Sequence, residues 1–288
     1  MLREAGEAIE AHEASGRRFD AGGVDSFVLD LGDGTPVVLM HGVPVSSFLY
    51  RKVAPELARH GLRAVAFDLP GLGLAARPLD FDYSWSGLAA WTGEAIDALG
   101  IERCHLVVHD IGGPVGLEWA IRHPDRVLSV TALNTLVDAA HFHRPWTMHP
   151  FSIRGVGELW LRGTPRFVFA RLFYLQGIAD RAAVPKADVY AHHALLRRGD
   201  DGRAFLRIMR GFELTEVKER FFFEGLTGRP YPAQVVWGRR DPALGEQRRL
   251  AVQRALGVEA ATLLPAKHFL QEDHAGAVAA AVAGLAGD

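Results

Sequence analysis

Short apolar runs recur along the chain, and each of them ends at a turn or at a polar cluster. Several runs are apolar throughout with little alternation, which is typical of strands buried on both faces of a parallel sheet. These runs predict strands at residues 26–30, 37–40, 63–67, 106–108, 127–133, 234–237 and 261–264. Helical patterns lie between them, at residues 49–59, 85–99, 114–123, 245–256 and 275–286. Alternating strands and helices predict the α/β class.

The alternation breaks between about residue 136 and residue 229, where aromatic and helical segments occur without a clear strand. A helical insertion after one strand of a parallel sheet forms a cap above the carboxyl ends of the strands, where open α/β sheets bind ligands. We therefore predict a core domain of residues 1–135 and 230–288 and a helical cap domain of residues 136–229. Residues 1–18 lack the apolar segment of a secretory signal and are expected to form a short exposed helix or a mobile leader.

The composition narrows the classes of function. The chain has 288 residues, which is room for one large domain or for a domain with an insertion. Its formal net charge of −2 indicates neither a nucleic-acid partner nor a membrane-surface partner. No apolar run reaches the length of a transmembrane helix. The single cysteine, Cys104, cannot form an internal disulfide, so a reducing compartment fits and a cytoplasmic location is expected.

The candidate chemistry begins at residues 108–113, which read VHDIGG between an apolar run and a helical pattern. A strand, a sharp turn with glycines and a helix are the context of a nucleophile elbow, although the usual serine is replaced by Asp110. A carboxylate is ionised at neutral pH and attacks without a base. It suits displacement at a saturated carbon, which leaves an alkyl ester, and suits acyl transfer poorly because that would give an anhydride. Taken alone, Asp110 is more typical of a helix N-cap at a strand-to-helix turn, and the segments described next favour the nucleophile instead.

A second turn adds backbone donors to this picture. The segment His41-Gly42-Val43 follows a predicted buried strand. In this position the N–H of Val43 points toward the elbow, and together with the N–H of Ile111 it would form an oxyanion hole.

Two polar residues follow late strands of the predicted sheet. Asp241 lies just past the strand at residues 234–237, and His268 lies just past the last strand. The order Asp110, Asp241, His268 is nucleophile, acid and base, which is the chain order of an α/β-hydrolase triad. Because each residue follows a strand, we expect the three side chains to gather at one edge of the sheet.

The chain resembles the branch of the α/β-hydrolase superfamily that contains haloalkane dehalogenases and epoxide hydrolases. The elbow carries this resemblance together with residues 41–51, 68–73 and 268–273. It covers essentially the whole chain outside the cap. It implies an α/β-hydrolase fold, with a mostly parallel eight-stranded sheet flanked by helices and an inserted helical cap.

The resemblance also assigns roles to the triad. It implies Asp110 as nucleophile, His268 as base and Asp241 as the acid that orients the histidine. Some dehalogenases place their acid after the preceding strand, where this chain has Asn134, which cannot fill that role. No metal and no organic cofactor is implied, because the histidine pairs at residues 141 and 143 and at 192 and 193 lack a matching set of ligands.

The chain departs from the dehalogenase pattern at the halide donors. Haloalkane dehalogenases hold the leaving halide between two N–H donors, one of them a tryptophan directly after the nucleophile, where this chain has Ile111. Many take the second donor from an asparagine at the position of Val43, and others take it from a tryptophan of the cap. In this chain Trp160 or Trp146 would serve as that cap tryptophan.

Epoxide opening has a different requirement, because the leaving oxygen stays on the substrate and must receive a hydrogen bond or a proton. Epoxide hydrolases use pairs of cap tyrosines for this, sometimes with a histidine in place of one tyrosine. Tyr174, Tyr190 and His143 are the candidates that we single out in this cap. The string HDIG at residues 109–112 also resembles an epoxide-hydrolase subgroup that lacks the tryptophan.

These observations predict a hydrolase that acts through an aspartyl alkyl ester, with water as co-substrate. The first reading is an epoxide hydrolase on a small hydrophobic epoxide, since the cap is rich in apolar aromatic residues. The alternatives are a haloalkane dehalogenase, a related hydrolase of another bond, and a non-catalytic α/β-hydrolase-fold binding protein. We expect a monomer or a homodimer without a nucleic-acid or membrane partner.

Overall fold

The computed structural model of the protein describes residues 1–287 and contains one sheet in the order β1-β2-β4-β3-β5-β6-β7-β8. The strands are β1 Arg17–Ala21, β2 Val24–Leu31, β3 Thr35–Met40, β4 Leu62–Phe67, β5 Cys104–Asp110, β6 Val127–Thr135, β7 Ala233–Gly238 and β8 Ala261–Leu264. β2 pairs antiparallel with β1 and β4, and all other pairs are parallel. The predicted mostly parallel eight-stranded sheet is therefore confirmed.

Helices cover both faces of this sheet and fill the connections. They are α1 Leu2–Ala14, α2 Val53–Arg59, α3 Trp85–Ala98, α4 Gly112–Arg122, α5 Val156–Arg162, α6 Arg166–Gly177, α7 Lys186–Arg197, α8 Arg203–Arg210, α9 Glu216–Leu226, α10 Glu246–Ala255, α11 Leu270–Asp273 and α12 Ala275–Gly287. The central strands are apolar because they lie between two helical layers: Val37, Val38 and Leu39 of β3 have no exposed surface.

Two predicted elements differ in detail. The helix predicted at residues 49–59 is a 3-10 turn, Ser47–Tyr50, followed by α2, because the Ser46 hydroxyl accepts the N–H of Phe48 and closes a tight turn first. The leader is a helix, but one face of it is buried rather than exposed. α1 packs against α7, and His12 on that face bonds the hydroxyl of Ser47 at 3.0 Å.

Residues 136–229, which we call the cap segment, lie between β6 and β7 and contain α5–α9 without a strand. The sheet continues directly from β6 to its neighbour β7, so the whole segment leaves and rejoins the sheet at adjacent positions. Its entry point is the carboxyl end of β6, beside the carboxyl end of β5. Within residues 1–287, no helix has both the length and the apolar character needed to cross a membrane.

A buried network of charged side chains ties the cap segment to the core. The Glu272 carboxylate on α11 has no exposed surface, and the Arg51 guanidinium donates to both of its oxygens at 2.6 and 2.9 Å. His192 of α7 donates from Nε2 to the same carboxylate at 2.8 Å. Burial works to raise the pKa of Glu272, but Arg51 and His192 outweigh it, so this pKa lies well below its ordinary value.

Replacing Glu272 by glutamine is expected to lower the free energy of unfolding by about 3–5 kcal/mol, because Arg51 would lose its fully buried counter-charge and keep only the partly exposed Asp188. Urea denaturation at neutral pH measures this. Since a depressed pKa contributes stability that is lost as the pH falls, the difference between the two proteins should narrow below a pH of about 4. Glu56→Gln, which breaks a surface pair with Arg59, is the control and should cost less than about 1 kcal/mol. An equal loss in both variants would contradict a special role for the buried network.

Candidate active site

Asp110 lies at a strained turn between β5 and α4. Its φ of 52° is in the left-handed region, which is costly for a residue other than glycine. The turn leaves no room for a side chain at Gly112, where an added Cβ would lie 2.6 Å from the Met40 carbonyl oxygen. The Thr135 hydroxyl donates to the Asp110 carbonyl at 2.6 Å and holds the turn from the neighbouring strand. The sequence VHDIGG thus folds as the predicted elbow and presents the carboxylate at the end of the strand.

The two oxygens of the Asp110 carboxylate have different neighbours. Oδ1 accepts the N–H of Val43 at 2.7 Å, and Oδ2 lies 3.6 Å from Nε2 of His268. Burial works to raise the pKa of Asp110, but the charge of the nearby His268 outweighs it, with smaller contributions from His109 and the Ile111 amide. The pKa of Asp110 is therefore below its ordinary value, and the group is a carboxylate at neutral pH.

His268 joins Asp110 to Asp241. Its Nδ1 lies 2.8 Å from Oδ2 of Asp241, which is 7% exposed, so the ring donates this proton to the carboxylate and leaves Nε2 facing Asp110. Burial works to lower the pKa of His268, but the charges of Asp241 and Asp110 outweigh it and raise this pKa to about 10. In the resting protein His268 is therefore a positively charged imidazolium, with a proton on Nδ1 and another on Nε2.

Asn134, at the end of β6, fixes the acid in place. Its Nδ2 donates to Oδ2 of Asp241 at 2.7 Å, and its Oδ1 accepts the N–H of Gly238 at 2.7 Å. The backbone amides of Ala243 and Leu244 donate to the other oxygen of Asp241 at 2.7 and 3.1 Å. Asn134, which the sequence analysis excluded as the triad acid, thus holds the Asp241 carboxylate from the neighbouring strand.

His109 is a site residue that sequence reasoning did not single out. Its Nε2 donates to the carbonyl oxygen of His268 at 2.9 Å, and its ring lies 4.7 Å from the His268 ring. Burial lowers its pKa to about 3, so His109 is neutral. Its position directly before the nucleophile was the one available signal. His109 supports the backbone of the loop that carries His268.

A cavity above Asp110 and His268, which we call the Asp110 cavity, lies between the core and the cap segment. Val43 and Pro44 line it from the core. Apolar side chains make up most of the remaining wall: Phe142, Pro145, Met148, Phe151, Leu161, Phe169, Leu172, Phe173, Leu196, Phe205, Met209, Phe212, Ala243, Leu244 and Phe269. The polar or charged residues that reach it from the cap segment are Arg144, Thr147, Trp160, Thr164, Gln176 and His193. Such a wall fits a hydrophobic ligand held by few polar contacts.

The structure brings one of the five predicted cap contacts to this cavity. Trp160 lines it, but its indole N–H donates to the Thr147 carbonyl at 3.2 Å. The Tyr174 hydroxyl donates to the Val184 carbonyl at 2.8 Å and lies outside the cavity wall.

The other three cap candidates lie elsewhere. Tyr190 is buried and faces a separate groove beside α1. The side chain of Trp146 is 68% exposed, and His143 is also exposed, with its Nδ1 bonded to the carbonyl oxygen of His141. Tyr174 on α6 and Tyr190 on α7 face other neighbours, whereas Trp146 and His143 lie exposed in the connection between β6 and α5. None of these four side chains therefore forms the expected leaving-group contact. Gln176 and Thr147, which reach the cavity and bond each other at 2.9 Å, were not foreseen.

Across residues 1–287, no three histidine, cysteine, aspartate or glutamate side chains cluster in a way that could hold a metal ion. In each histidine pair considered in the sequence analysis, one ring bonds a glutamate. His141 bonds Glu219, and His192 bonds Glu272.

The sheet order, the strained aspartate elbow and the Asp–His–Asp relay together define an α/β hydrolase. Residues 35–275 match the family model described as alpha/beta hydrolase fold, and the chain belongs to that family. It is a hydrolase of the branch that contains the haloalkane dehalogenases and epoxide hydrolases, as its relatives indicate.

Two curated relatives and two solved structures illustrate the similarity. Haloalkane dehalogenase 2 of Mycobacterium tuberculosis is 28% identical over 286 residues, which cover 92% of this chain and 93% of the relative. A haloalkane dehalogenase of Mycolicibacterium smegmatis is 30% identical over 280 residues, which cover 88% and 85%. The crystal structure of Cfl2 from Burkholderia cenocepacia superposes with a TM-score of 0.82 at 23% identity, covering 93% and 94%. A putative ancestral haloalkane dehalogenase superposes with a TM-score of 0.77 at 24% identity, covering 94% and 100%. These two structures support the fold.

Proposed function

We propose that the protein is a haloalkane dehalogenase-type hydrolase, which replaces the halogen of a hydrophobic haloalkane by a hydroxyl group from water. The observation that carries this proposal is the Asp110 carboxylate, with Oδ1 bonded to the Val43 amide and Oδ2 free to react beside His268. The curated relatives named as haloalkane dehalogenases favour a carbon–halogen bond over an epoxide as the bond that is broken.

The first half-reaction is a displacement at a saturated carbon. Oδ2 of Asp110 attacks the carbon that carries the halogen, the carbon–halogen bond breaks, and the halide leaves with the bonding electrons. The product is an alkyl ester of Asp110. Oδ1 remains in its hydrogen bond with Val43 and becomes the carbonyl oxygen of this ester. No base takes part in this step, so a protonated His268 does not prevent it.

The second half-reaction is hydrolysis of the ester. Esterification removes the charge of Asp110, which is one of the charges that raise the pKa of His268, so this pKa falls, Nε2 releases its proton to solvent and the ring becomes a base. His268 takes a proton from water, and the hydroxide adds to Cγ of Asp110. The amides of Val43 and Ile111 stabilise the oxyanion on Oδ1. The bond between Cγ and the alkyl oxygen then breaks, and the departing alkoxide takes the proton of the new hydroxyl group. The products are the alcohol, the Asp110 carboxylate and the protonated His268 of the resting protein.

The hydrogen-bond donors available to the leaving halide differ from those of the haloalkane dehalogenase pattern. Neither Ile111 nor Val43 carries a side-chain N–H, and the Trp160 indole is bonded to a carbonyl. The Gln176 amide and the Thr147 hydroxyl are the polar groups of the cap segment that we assign to the departing halide. The same pair can donate to an alkoxide, which keeps epoxide hydrolysis as the second candidate.

A His268→Gln protein is expected to accumulate the ester, because the displacement proceeds and the hydrolysis has lost its base. We would incubate it separately with 1-bromohexane and with 1,2-epoxyhexane and record the intact-protein mass. A haloalkane adds its mass less the hydrogen halide, whereas an epoxide adds its whole mass, so the adduct identifies the bond that is broken. Peptide mapping should place the adduct on Asp110.

The control is the double variant Asp110→Asn/His268→Gln, which keeps the shape of the cavity and has no nucleophile. It should stay unmodified in both incubations. An adduct from the epoxide alone would replace the proposal by its second candidate, and a folded His268→Gln protein without any adduct would contradict both. The division into core and cap, the cytoplasmic location and the monomeric or dimeric state stay predictions.

A further inference from the structure

The cap segment presents one cationic side chain to the Asp110 cavity. Arg144 lines the cavity next to Met209 and Phe212, within an otherwise mainly apolar wall. Its Nη2 donates to the Met209 carbonyl at 2.9 Å, and the guanidinium carbon lies 4.7 Å from the centre of the Phe212 ring. These contacts hold the head group in place and use only one of its five N–H bonds.

Arg144 lacks the counter-charge that Arg51 and Arg77, two other partly buried arginines of this chain, have. Arg51 lies 2.6 Å from Glu272, and Arg77 lies 3.3 Å from Asp200. Among the described residues, no carboxylate lies within salt-bridge distance of Arg144, and its buried Nε has no hydrogen-bond partner. Burial without compensation lowers the pKa of this guanidinium, although it stays charged at neutral pH. A partly buried cation with unpaired donors that lines a ligand cavity is a candidate partner for an anion.

The floor of the cavity does not supply that anion. The charge of Asp110 is balanced by His268, which lies 3.6 Å from it, and Asp241 is bonded to the same ring. Arg144 belongs to the connection between β6 and α5, whereas Asp110 ends β5 in the core. Both residues line the cavity, but the charge of Asp110 is not among the causes that shift the pKa of Arg144, so the two groups are not adjacent. A ligand that met both groups would therefore have an anionic end and a reactive carbon joined by a chain that the apolar wall covers.

We propose that Arg144 binds a carboxylate of the substrate, so that the preferred ligand is an amphiphilic monocarboxylate whose reacting carbon lies at the opposite end of an apolar chain. The guanidinium recognises the carboxylate through its free N–H donors, since the planar fork of arginine matches the two oxygens of a carboxylate. The aromatic wall covers the chain, and Asp110 meets the reacting carbon. The binding site rests on Arg144 alone, whereas the reaction at the far end rests on the proposed function.

The first experiment measures binding without chemistry, so that it is independent of the proposed function. Octanoate and octanamide, which share chain and shape and differ in charge, are titrated into the unaltered protein by calorimetry. We expect octanoate to bind at least about tenfold more tightly, the scale of a charge-assisted hydrogen bond. Arg144→Met should remove this preference by weakening octanoate, and Arg144→Lys should keep part of it.

Arg229 provides a matched control. It is also partly buried, its Nε is also without a partner, and burial also lowers its pKa, but it does not line the Asp110 cavity. Arg229→Met should bind both ligands as the unaltered protein does. An unaltered protein that does not prefer octanoate would overturn the proposal, as would a preference that survives in Arg144→Met or an equal loss for both ligands in that variant.

The second experiment compares turnover of 8-bromooctanoate and 8-bromooctanamide. The bromocarboxylate should show the higher kcat/KM, through a lower KM, and Arg144→Met should bring the two substrates together. If neither bromide is turned over while octanoate binds in the expected way, the proposed function fails and the carboxylate site stands. If both bromides react equally well in the unaltered protein, the assignment of the substrate is wrong.

Discussion

An Asp110→Asn protein is expected to lose turnover by about 10⁴-fold or more, which is the scale seen when a triad member that acts as part of a unit is removed. Asparagine has the size of aspartate and fits the strained elbow, but a neutral amide does not displace a leaving group from carbon. The Val43 amide still finds an oxygen to bond, so the fold of the site should survive. Initial rates with the substrate found by adduct formation measure the loss.

A second measurement on the same protein separates loss of the nucleophile from general damage. The charge of Asp110 is one of the causes that raise the pKa of His268 to about 10. Removing it should lower this pKa, and a titration of the ring by NMR follows the shift directly. The sign matters for the mechanism, because the ester form of Asp110 is neutral as well. The variant therefore reports the state in which His268 has to act as a base.

Asp30→Asn is the control for this prediction. Asp30 also forms an ion pair, with Arg63 at 2.8 Å, but it lies on β2 outside the cavity wall. It should keep the rate of the unaltered protein and the pKa of His268. Full turnover by an Asp110→Asn protein whose mass excludes deamidation would remove the covalent mechanism altogether.

The sheet was predictable because buried parallel strands are apolar along their whole length. β3 reads TPVVLM and β5 begins with CHLVVH, and in both the inner positions have no exposed surface. β1, by contrast, reads RRFDA and pairs at the outer edge, where only its third and fifth residues are buried. Two arginines and an aspartate in five residues hide the alternation that would have indicated a strand.

The positions of the triad residues were predictable from topology. Asp110, Asp241 and His268 each follow a strand, and the carboxyl ends of parallel strands meet at one edge, so chain order alone predicted their approach. The cap contacts depend on how each helix is rotated and on the path of each connecting loop, and packing sets both. Tyr174 bonds a carbonyl within the cap segment and Arg144 turns to the cavity, although nothing in their local sequence distinguishes these outcomes.

Replacing Asp241 by asparagine is expected to lower kcat by roughly 10³- to 10⁴-fold, the scale of the equivalent change in serine-protease triads. The reason lies in the hydrogen bonds around the side chain. One carboxylate oxygen accepts the amides of Ala243 and Leu244, and the other accepts both Asn134 Nδ2 and His268 Nδ1. An asparagine can satisfy the two backbone amides only with its oxygen, which turns its own NH₂ group toward Asn134 and His268.

That arrangement exchanges the proton and the lone pair between the two ring nitrogens of His268. Asn134 cannot turn over to accept the new NH₂ group, because its Oδ1 is already held by the Gly238 amide at 2.7 Å. His268 must then accept at Nδ1 and carry its proton on Nε2, so the nitrogen that faces Asp110 has no lone pair with which to take a proton from water. The displacement needs no base and should proceed, so the loss should appear in hydrolysis alone.

The test is therefore which intermediate accumulates rather than how much activity is lost. During turnover, intact-protein mass should show Asp241→Asn largely as the Asp110 ester, preceded by a burst of released halide close to one per active site. Asp30→Asn, with the same change of charge, should show neither signal. Slow turnover without ester would mean that Asp241 serves the displacement, and a normal rate would mean that His268 takes its proton without the help of a negative charge at Nδ1.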